Sequence, residues 1–187
     1  MKKFNFTLCI FLLLAIFTAC ERPDYLDEIY DTYREAKRNS TSGVVIDGNM
    51  WSAMSTAPLD WDEAVSYCKY LTELEYYDWR LPTVNELRTL IQNCSDTEPR
   101  GFCNMTDECL AEEISEDYVS YYTRCDNNYC YCEYTQEEGF YSKLGDDTIL
   151  YSSTETGSSS YVVAVSYTDA SIDTRSKSWG AYVRCVR

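Results

Sequence analysis

The sequence DWRLPTVNEL at residues 78–87 decides how the middle of the chain folds. Thr83 is followed three residues later by Glu86, which is the spacing of a capping box. In that motif each of the two side chains bonds to the backbone N–H of the other residue at the start of a helix. The sequence therefore predicts a short helix after Thr83, and the residues expected to be buried with it are Leu87, Leu90 and Ile91.

A second capping box lies upstream. Asp60 and Glu63 have the same spacing and predict a helix from Trp61 to about Leu74. Apolar residues at three- and four-residue intervals define the face expected to be buried. The residues on that face are Trp61, Ala64, Val65, Cys68 and Leu71. Cys68 should thus point into the core, where a disulfide could hold the helix in place.

The rest of the chain has the composition of strands and loops. Val44–Ile46 is apolar and β-branched, and the Asp47-Gly48 that follows it is typical of a turn. Residues 149–151 and the apolar run at residues 161–167 predict two further strands. Residues 181–187, AYVRCVR, alternate in character, which predicts a last strand with Val183 and Cys185 on one side.

The composition excludes several classes of function. The chain has 187 residues, no histidine and a formal net charge of −15. Without histidine there can be no Ser-His-Asp or Cys-His catalytic site and no His-ligated zinc. The negative charge argues against nucleic acid as a partner, because phosphate recognition needs a basic surface. The length fits one domain with additional segments.

Residues 1–19 have the layout of a secretory signal peptide. Lys2 and Lys3 precede an apolar run at residues 8–17, and that run is too short to span a bilayer comfortably. The ending FTAC resembles a bacterial lipobox, so Cys20 is expected to carry a lipid and to become the new N-terminus. An ordinary signal peptide and a single membrane anchor are the alternatives.

Residues 20–43 are expected to connect the lipid to a domain at residues 44–187. Apolar residues at helical spacing in residues 24–38 predict a helical stalk, and NSTSG at residues 39–43 is a flexible linker. The stalk could be a simple spacer or could form an oligomer, because about two heptads do not establish a coiled coil.

The cysteine count supports export. Removal of the signal peptide takes away Cys9, and lipidation uses Cys20, so eight of the ten cysteines remain. An even number in an exported chain indicates disulfides. Cys185 is the expected partner of Cys68, and the other six allow 15 pairings that spacing alone does not resolve. Those six, all in an insert at residues 94–132, are Cys94, Cys103, Cys109, Cys125, Cys130 and Cys132. A thiolate metal site or a redox pair is the alternative use of these cysteines.

Three stretches of the chain resemble the DUF1566 family, also called the Lcl C-terminal domain, which is close to the Fibrobacter major paralogous domain. These stretches are Asp60–Cys68, residues 78–87, and an ending with YSST at residues 151–154 and YVRCVR at residues 182–187. Tyr151 stands where the family usually has Trp. The resemblance covers about residues 44–187 and implies an α+β, C-type-lectin-like fold with two short helices, a small twisted antiparallel sheet and long loops. A Cys68–Cys185 pair would match the long-range disulfide of that fold.

The same resemblance suggests where a ligand could bind. In lectin-like domains the long loop region often carries the ligand surface, and here the insert and its flank are rich in tyrosine. Tyrosine suits contacts with sugars or proteins, because it combines a large flat face with a polar tip. The candidate binding residues are Tyr118, Tyr121, Tyr122, Tyr129, Tyr131 and Tyr134. About half of them could instead pack under the loop.

The calcium-binding motifs of sugar-binding C-type lectins are missing from this chain. Glu98-Pro99-Arg100 is only a fragment of one, so no metal or cofactor is expected. Pairs of acids such as Asp107-Glu108 and Asp146-Asp147 could hold calcium loosely, although such runs are usually a solvated face. Sulfated glycans are not expected ligands, because without Lys2 and Lys3 the charge falls to −17. A local basic patch remains open, made of Lys143, Arg175, Lys177 and Arg184.

Together these features predict a non-enzymatic, lipid-anchored protein of the bacterial envelope that binds a protein or glycan in adhesion or recognition. Glu21 after Cys20, in place of an Asp, favours the outer membrane. A structural envelope lipoprotein without a soluble ligand is one alternative. The other is a formylglycine-generating-type oxidase, which shares the broad lectin-like architecture and would need two free, reactive cysteines.

Overall fold

The computed structural model describes residues 42–114, 125, 130–132 and 141–187. Residues 1–41, with the expected signal peptide, Cys20 and stalk, lie outside the described residues. The described part is α+β, with short helices, two small antiparallel sheets and four disulfides. No helix within it is long and apolar enough to cross a membrane. The elements in chain order are β1 (Val44–Ile46), β2 (Asn49–Trp51), α1 (Trp61–Tyr70), α2 (Val84–Arg88), α3 (Asp107–Ile114), β3 (Ile149–Glu155), β4 (Tyr161–Ser166) and β5 (Ile172–Ser176).

Strands β1 and β2 form a hairpin closed by the predicted turn. Asp47 has a φ of 50° and Gly48 a φ of 88°, and a two-residue type I′ turn needs positive φ at both central positions. Asp-Gly meets that need at little cost, which is why the dipeptide predicted the turn correctly. Trp51 at the end of β2 is fully buried and joins the hairpin to the core.

Helix α1 begins as predicted but ends earlier than predicted. Both halves of the Asp60–Glu63 capping box are present. The helix stops at Tyr70, so its predicted extension to about Leu74 is wrong. The reason is tertiary, because the Glu73 carboxylate accepts the backbone N–H of Ala53 at 2.9 Å and is thereby held in the following loop.

The buried face of α1 is narrower than predicted. Ala64 and Cys68 are fully buried, whereas Trp61 and Leu71 are only partly buried. Val65 is exposed, so its assignment to the core is wrong. It follows Ala64 directly and is therefore turned about 100° around the helix axis from it, beyond the edge of the buried stripe.

Helix α2 confirms the second capping box. The Thr83 side chain accepts from the backbone N–H of Glu86, and the Glu86 side chain accepts from the N–H of Thr83. The three residues predicted to be buried are fully buried, although the helix itself ends at Arg88, so that one follows in a turn and one in an isolated bridge to Ser142. These residues are Leu87, Leu90 and Ile91.

The larger sheet has the order β3-β4-β5, with antiparallel pairing throughout. The central strand β4 is buried over most of its length, as its apolar sequence predicted. Strand β5, with the sequence IDTRS, is absent from the sequence prediction because it is mostly polar. Only Ile172 and Thr174 on its inner side are buried.

Residues 181–187 differ from the predicted regular strand. They form isolated bridges to several parts of the chain. Val186, for example, is bridged to both Trp51 and Arg80. Val183 and Cys185 are fully buried, but Arg184 and Val186 between and beyond them are buried too. The segment is enclosed on both sides, so the alternation in its sequence does not produce an exposed face.

The eight described cysteines form four disulfides. Cys68 bonds to Cys185, the pair that the sequence analysis expected. Within the insert, the pairs are Cys94–Cys132, Cys103–Cys130 and Cys109–Cys125. The insert also contains α3, a helix that the sequence analysis did not predict, and the Thr106 hydroxyl accepts from the N–H of Cys109 at its start.

A buried ion pair ties three distant segments together. The Arg184 guanidinium donates to both carboxylate oxygens of Asp146, at 2.9 and 2.6 Å, and to the carbonyl of Ser52 at 2.7 Å. The Arg184 side chain is 0% exposed. Burial raises the pKa of the nearby Tyr167 well above its ordinary value, and the charge of Asp146 adds to that rise. Tyr167 remains protonated and donates to the Leu87 carbonyl at 2.8 Å.

Replacing Asp146 by Asn tests how far the fold depends on this pair. The substitution keeps the shape but leaves the Arg184 charge buried without its counterion, so we expect the free energy of unfolding to fall by about 3–5 kcal/mol. Urea unfolding under non-reducing conditions measures the loss. Glu155→Gln is the matched control, because it breaks the exposed Lys177–Glu155 pair and should cost about 1 kcal/mol or less. Equal losses in the two variants would contradict the assignment.

The disulfides allow a second test. The double variant Cys68→Ala/Cys185→Ala removes a disulfide whose cysteines are 117 residues apart. The double variant Cys109→Ala/Cys125→Ala removes one whose cysteines are 16 residues apart. Loop-closure entropy predicts losses of about 4.7 and about 3 kcal/mol. The same urea measurement gives both values. A larger loss for the shorter loop would show that native packing, and not chain entropy, sets the contribution of each bond.

Candidate functional site

Of the six tyrosines expected to bind ligand, one lies in the part of the chain that the structure describes. Tyr118, Tyr121, Tyr122, Tyr129 and Tyr134 lie outside the described residues. Tyr131 is exposed, and the cysteines on either side of it are bonded to Cys103 and Cys94. The Cys130 carbonyl also accepts from the N–H of Ile172 at 2.9 Å. Tyr131 is therefore presented to solvent from a fixed backbone, as a binding side chain should be.

A more exposed aromatic surface extends from Tyr70, the last residue of α1, into the segment before α2. We call residues 70–77 the aromatic loop. Tyr70 and Tyr77 are each 74% exposed, and Leu74 and Tyr76 are exposed as well. The signal that could have revealed this surface is the density of aromatic residues in KYLTELEYYDW at residues 69–79, beyond the last residue that α1 needs for its buried stripe.

The backbone of the aromatic loop contains a strained turn. Leu74 has a φ of 54° and Glu75 a φ of 64°, and the Tyr76 N–H bonds to the Glu73 carbonyl at 3.0 Å. Such a turn favours Asn and Gly, since a left-handed conformation costs other residues roughly 1–2 kcal/mol each. Strained residues of this kind are concentrated at functional sites.

Contacts of Glu73 hold this turn in place. Its carboxylate accepts from the backbone N–H of Ala53 at 2.9 Å and from the hydroxyl of Ser42. Its carbonyl accepts from the Trp79 ring N–H at 3.3 Å. Gly43 lies directly against Leu74, because a Cβ at that glycine would be 2.6 Å from Leu74 Cδ1. The turn thus rests on the segment where the described domain begins.

The C-terminal residue holds the other side of the loop. The Arg187 guanidinium carbon lies 3.5 Å from the centre of the Tyr76 ring, and its Nε donates to Asp78 at 2.7 Å. The hydrogen bond from Arg187 lowers the pKa of the Asp78 carboxyl below its ordinary value. Of the three carboxylates at residues 73–78, those of Glu73 and Asp78 are therefore engaged with donors. The loop displays aromatic faces, and the positive charge of Arg187 lies beside them and pairs with Asp78.

A second exposed aromatic residue lies near the opposite end of α1. Trp179 is 60% exposed, while its carbonyl accepts from the Tyr151 hydroxyl at 2.5 Å. Burial is the main cause that raises the pKa of Tyr151 to about 12, so this hydroxyl keeps its proton. The Lys177 carbonyl accepts the N–H of Trp61 at the first turn of α1. Because α1 has ten residues, about 15 Å of helix separates this end from Tyr70.

Several tryptophans and one ion pair near these surfaces have structural roles. Trp51 and Trp79 are buried. The Trp61 ring N–H donates to the Ser152 carbonyl at 2.9 Å. Arg80 and Glu86 form a two-bond ion pair, at 2.7 and 2.5 Å, that holds the WRLPT segment against α2.

The groups considered for cations or for a basic patch are largely engaged. Among the described residues no three His, Cys, Asp or Glu side chains are grouped to hold a metal ion. Asp146 pairs with Arg184, and Asp107 accepts the Thr154 hydroxyl at 2.5 Å. The basic patch that the sequence left open does not form as a whole, because Arg184 is buried and Lys177 pairs with Glu155 at 2.8 Å.

The family model described as the Lcl C-terminal domain matches residues 43–187. No curated protein matches the chain.

Glu75→Gly tests whether the turn in the aromatic loop is strained. Glycine adopts positive φ without a Cβ clash, so we expect the free energy of unfolding to rise by about 0.5–1 kcal/mol. Urea unfolding under non-reducing conditions measures the change. Thr72→Gly is the control, because Thr72 has no positive φ and the substitution should destabilise the protein. Destabilisation by both substitutions would show that the turn carries no strain.

Proposed function

The chain belongs to the Lcl C-terminal domain family, and from that premise we propose that it is a lipid-anchored bacterial envelope protein with a C-type-lectin-like binding domain. The domain recognises a protein or a glycan in adhesion or surface recognition and catalyses no reaction. The observation that carries this proposal is the aromatic loop, which displays Tyr70 and Tyr77 from a backbone held by tertiary contacts.

The arrangement of the chain ends supports the lectin-like assignment. The N–H of Met50 donates to the Arg187 carbonyl at 2.9 Å, and the N–H of Arg187 returns a bond to Met50 at 3.1 Å. The first residues of the domain therefore lie beside the last. The Cys68–Cys185 disulfide joins the first helix to the C-terminal segment, which is the long-range bond implied by the family resemblance.

The aromatic loop suits recognition better than catalysis. Tyrosine offers a large apolar face for a sugar ring or an apolar side chain, with a hydroxyl that can bond at the edge. Two such side chains on a held backbone lose little conformational entropy when they bind. The charge of Arg187 offsets that of Asp78 beside this surface.

The envelope location rests on the N-terminal sequence and on the disulfides. Lys2, Lys3, the apolar run and Cys20 favour export and lipidation, and Glu21 after Cys20 favours the outer membrane. Four disulfides fit an oxidising compartment. Because the aromatic loop contacts Ser42 and Gly43, the proposed binding surface adjoins the point where the tether enters the domain.

The oxidase alternative is disfavoured by the cysteines. Such an enzyme needs two free thiols, and all eight cysteines of the described residues are in disulfides. The structural lipoprotein alternative has no observation of its own in its favour, because a purely structural role does not require exposed tyrosines on a strained turn.

Glycan and protein arrays probed with the purified mature lipoprotein test the proposal. We expect a set of specific binders, and Tyr70→Ala and Tyr77→Ala should each weaken the strongest of them at least 10-fold, because each removes a large exposed aromatic face. Kd values come from surface plasmon resonance on the immobilised ligand. Trp179→Ala is the matched control, an equally drastic loss of an exposed ring at the other end of α1, and it should leave Kd unchanged.

Two outcomes would overturn the proposal. Silence on both arrays, together with a permeability defect in a deletion strain that adheres normally, would favour the structural lipoprotein. Binding that survives both tyrosine substitutions but is lost in Trp179→Ala would remove the aromatic loop as the site.

A further inference from the structure

A small cavity lies at the junction of α2 and the start of α3, away from the aromatic loop. It has a volume of about 230 Å³, and its lining residues are Asn85, Arg88, Pro99, Thr106 and Glu108. Liquid water occupies about 30 Å³ per molecule, so the space corresponds to roughly eight waters or a ligand of about six to ten non-hydrogen atoms.

The floor of the cavity is a buried cation. Arg88 is 2% exposed, and its guanidinium donates from Nε to the Thr97 carbonyl at 3.0 Å and from Nη2 to the Glu98 carbonyl at 2.8 Å. Burial lowers the pKa of Arg88 below its ordinary value, but an arginine remains charged at neutral pH. The two carbonyls orient the guanidinium without neutralising it, and the charges of Glu108 and Asp107 act on it without a direct bond. Among the described residues no carboxylate lies within 4.0 Å of it.

A buried charge with no carboxylate bonded to it is costly, so a ligand carboxylate in contact with the guanidinium would be favoured. Nη1 makes no bond to the described residues, and Arg88 lines the cavity. A guanidinium presents its N–H groups in a planar fork that matches a carboxylate. The floor of the cavity therefore suits a ligand carboxylate.

The mouth of the cavity has the opposite charge. Glu108 is exposed, and both of its carboxylate oxygens accept from the Asn85 amide, at 3.2 and 3.0 Å. That hydrogen bond is the main cause that lowers the pKa of Glu108 below its ordinary value, so the group is ionised at neutral pH. Asn85 is itself fixed, because its amide oxygen accepts from the N–H of Asp107 at 3.2 Å.

We propose that this cavity binds a small zwitterion of the α-amino-acid class. Its carboxylate bonds to the buried Arg88 and its ammonium group to the exposed Glu108. Pro99 also lines the cavity. A plain anion would meet the repulsion of Glu108, and a plain cation would meet that of Arg88, so the pair of charges selects a ligand that carries both. The inference is independent of the aromatic loop and of the ligand recognised there.

Isothermal titration calorimetry and thermal unfolding of the mature lipoprotein with single amino acids test the proposal. L-alanine, L-leucine and L-glutamate are the first probes. We expect at least one to bind with a Kd of roughly 10 μM–1 mM, as suits so few atoms. Its N-acetyl derivative, its amide, acetate and methylamine should each bind at least 10-fold more weakly, because each lacks one of the two charges.

The variants assign the site. Glu108→Gln should weaken the bound amino acid at least 10-fold, and Lys69→Gln, an exposed charge on α1, should have no effect. Arg88→Gln should abolish binding; if it does not fold, the ¹⁵N resonance of Arg88 Nε in the unmodified protein should shift on titration with the amino acid but not with methylamine.

Three results would overturn the proposal. The first is the absence of binding by all twenty common amino acids at 20 mM. The second is equal affinity for acetate, which would make the cavity a simple anion site. The third is unchanged affinity in Glu108→Gln, which would place the ammonium group elsewhere. None of these results bears on the glycan and protein arrays, so the two proposals fail separately.

Discussion

The fold depends on the buried ion pair between Arg184 and Asp146. Desolvation of each charge is costly, and the two bonds between them offset that cost. The same guanidinium also donates to the Ser52 carbonyl. Three segments, from the start, the middle and the end of the domain, must therefore come together at once. The neighbouring Cys68–Cys185 disulfide then holds the end of the chain to α1. As a result, the start of the domain lies beside its end.

The aromatic loop shows what such a frame permits. Left to its own propensity, the segment after Tyr70 would continue as helix, and the sequence predicts that continuation. Glu73 bonds instead to Ala53 and Ser42, so the backbone turns through two residues with positive φ. The cost of that turn is a few kcal/mol at most, which a domain with four disulfides and a buried ion pair can sustain. As a result, the aromatic side chains of the loop face solvent beside a turn. In a continued helix they would instead have been spread along the helix surface.

The features that could be predicted are those specified within a few residues. The Asp47-Gly48 turn and the capping boxes at Asp60 and Thr83 each depend on local spacing, and all three are present. Strand β5 and helix α3 depend on tertiary partners and were not predictable from their own sequences. The pairing of six cysteines is likewise decided by how the insert folds back on the domain. For the proposed site, the sequence gives no position for the exposed tyrosines of the aromatic loop, because that position follows from where Glu73 finds its hydrogen-bond partners.

Two buried arginines show why burial alone does not reveal a role. Arg184 and Arg88 have nearly the same exposure, and each is held by backbone carbonyls as well. Arg184 also meets a carboxylate of this chain, so its charge is satisfied and its function is to hold the fold. Arg88 bonds to carbonyls only, beside a cavity, so its charge is oriented while the carboxylates of Glu108 and Asp107 act on it without a direct bond. Since both residues lie within apolar sequence, as LRTL and VRCV, periodicity predicts neither. The distinction depends on which partner each guanidinium finds in three dimensions, and it separates a residue that stabilises the domain from one that is poised to bind.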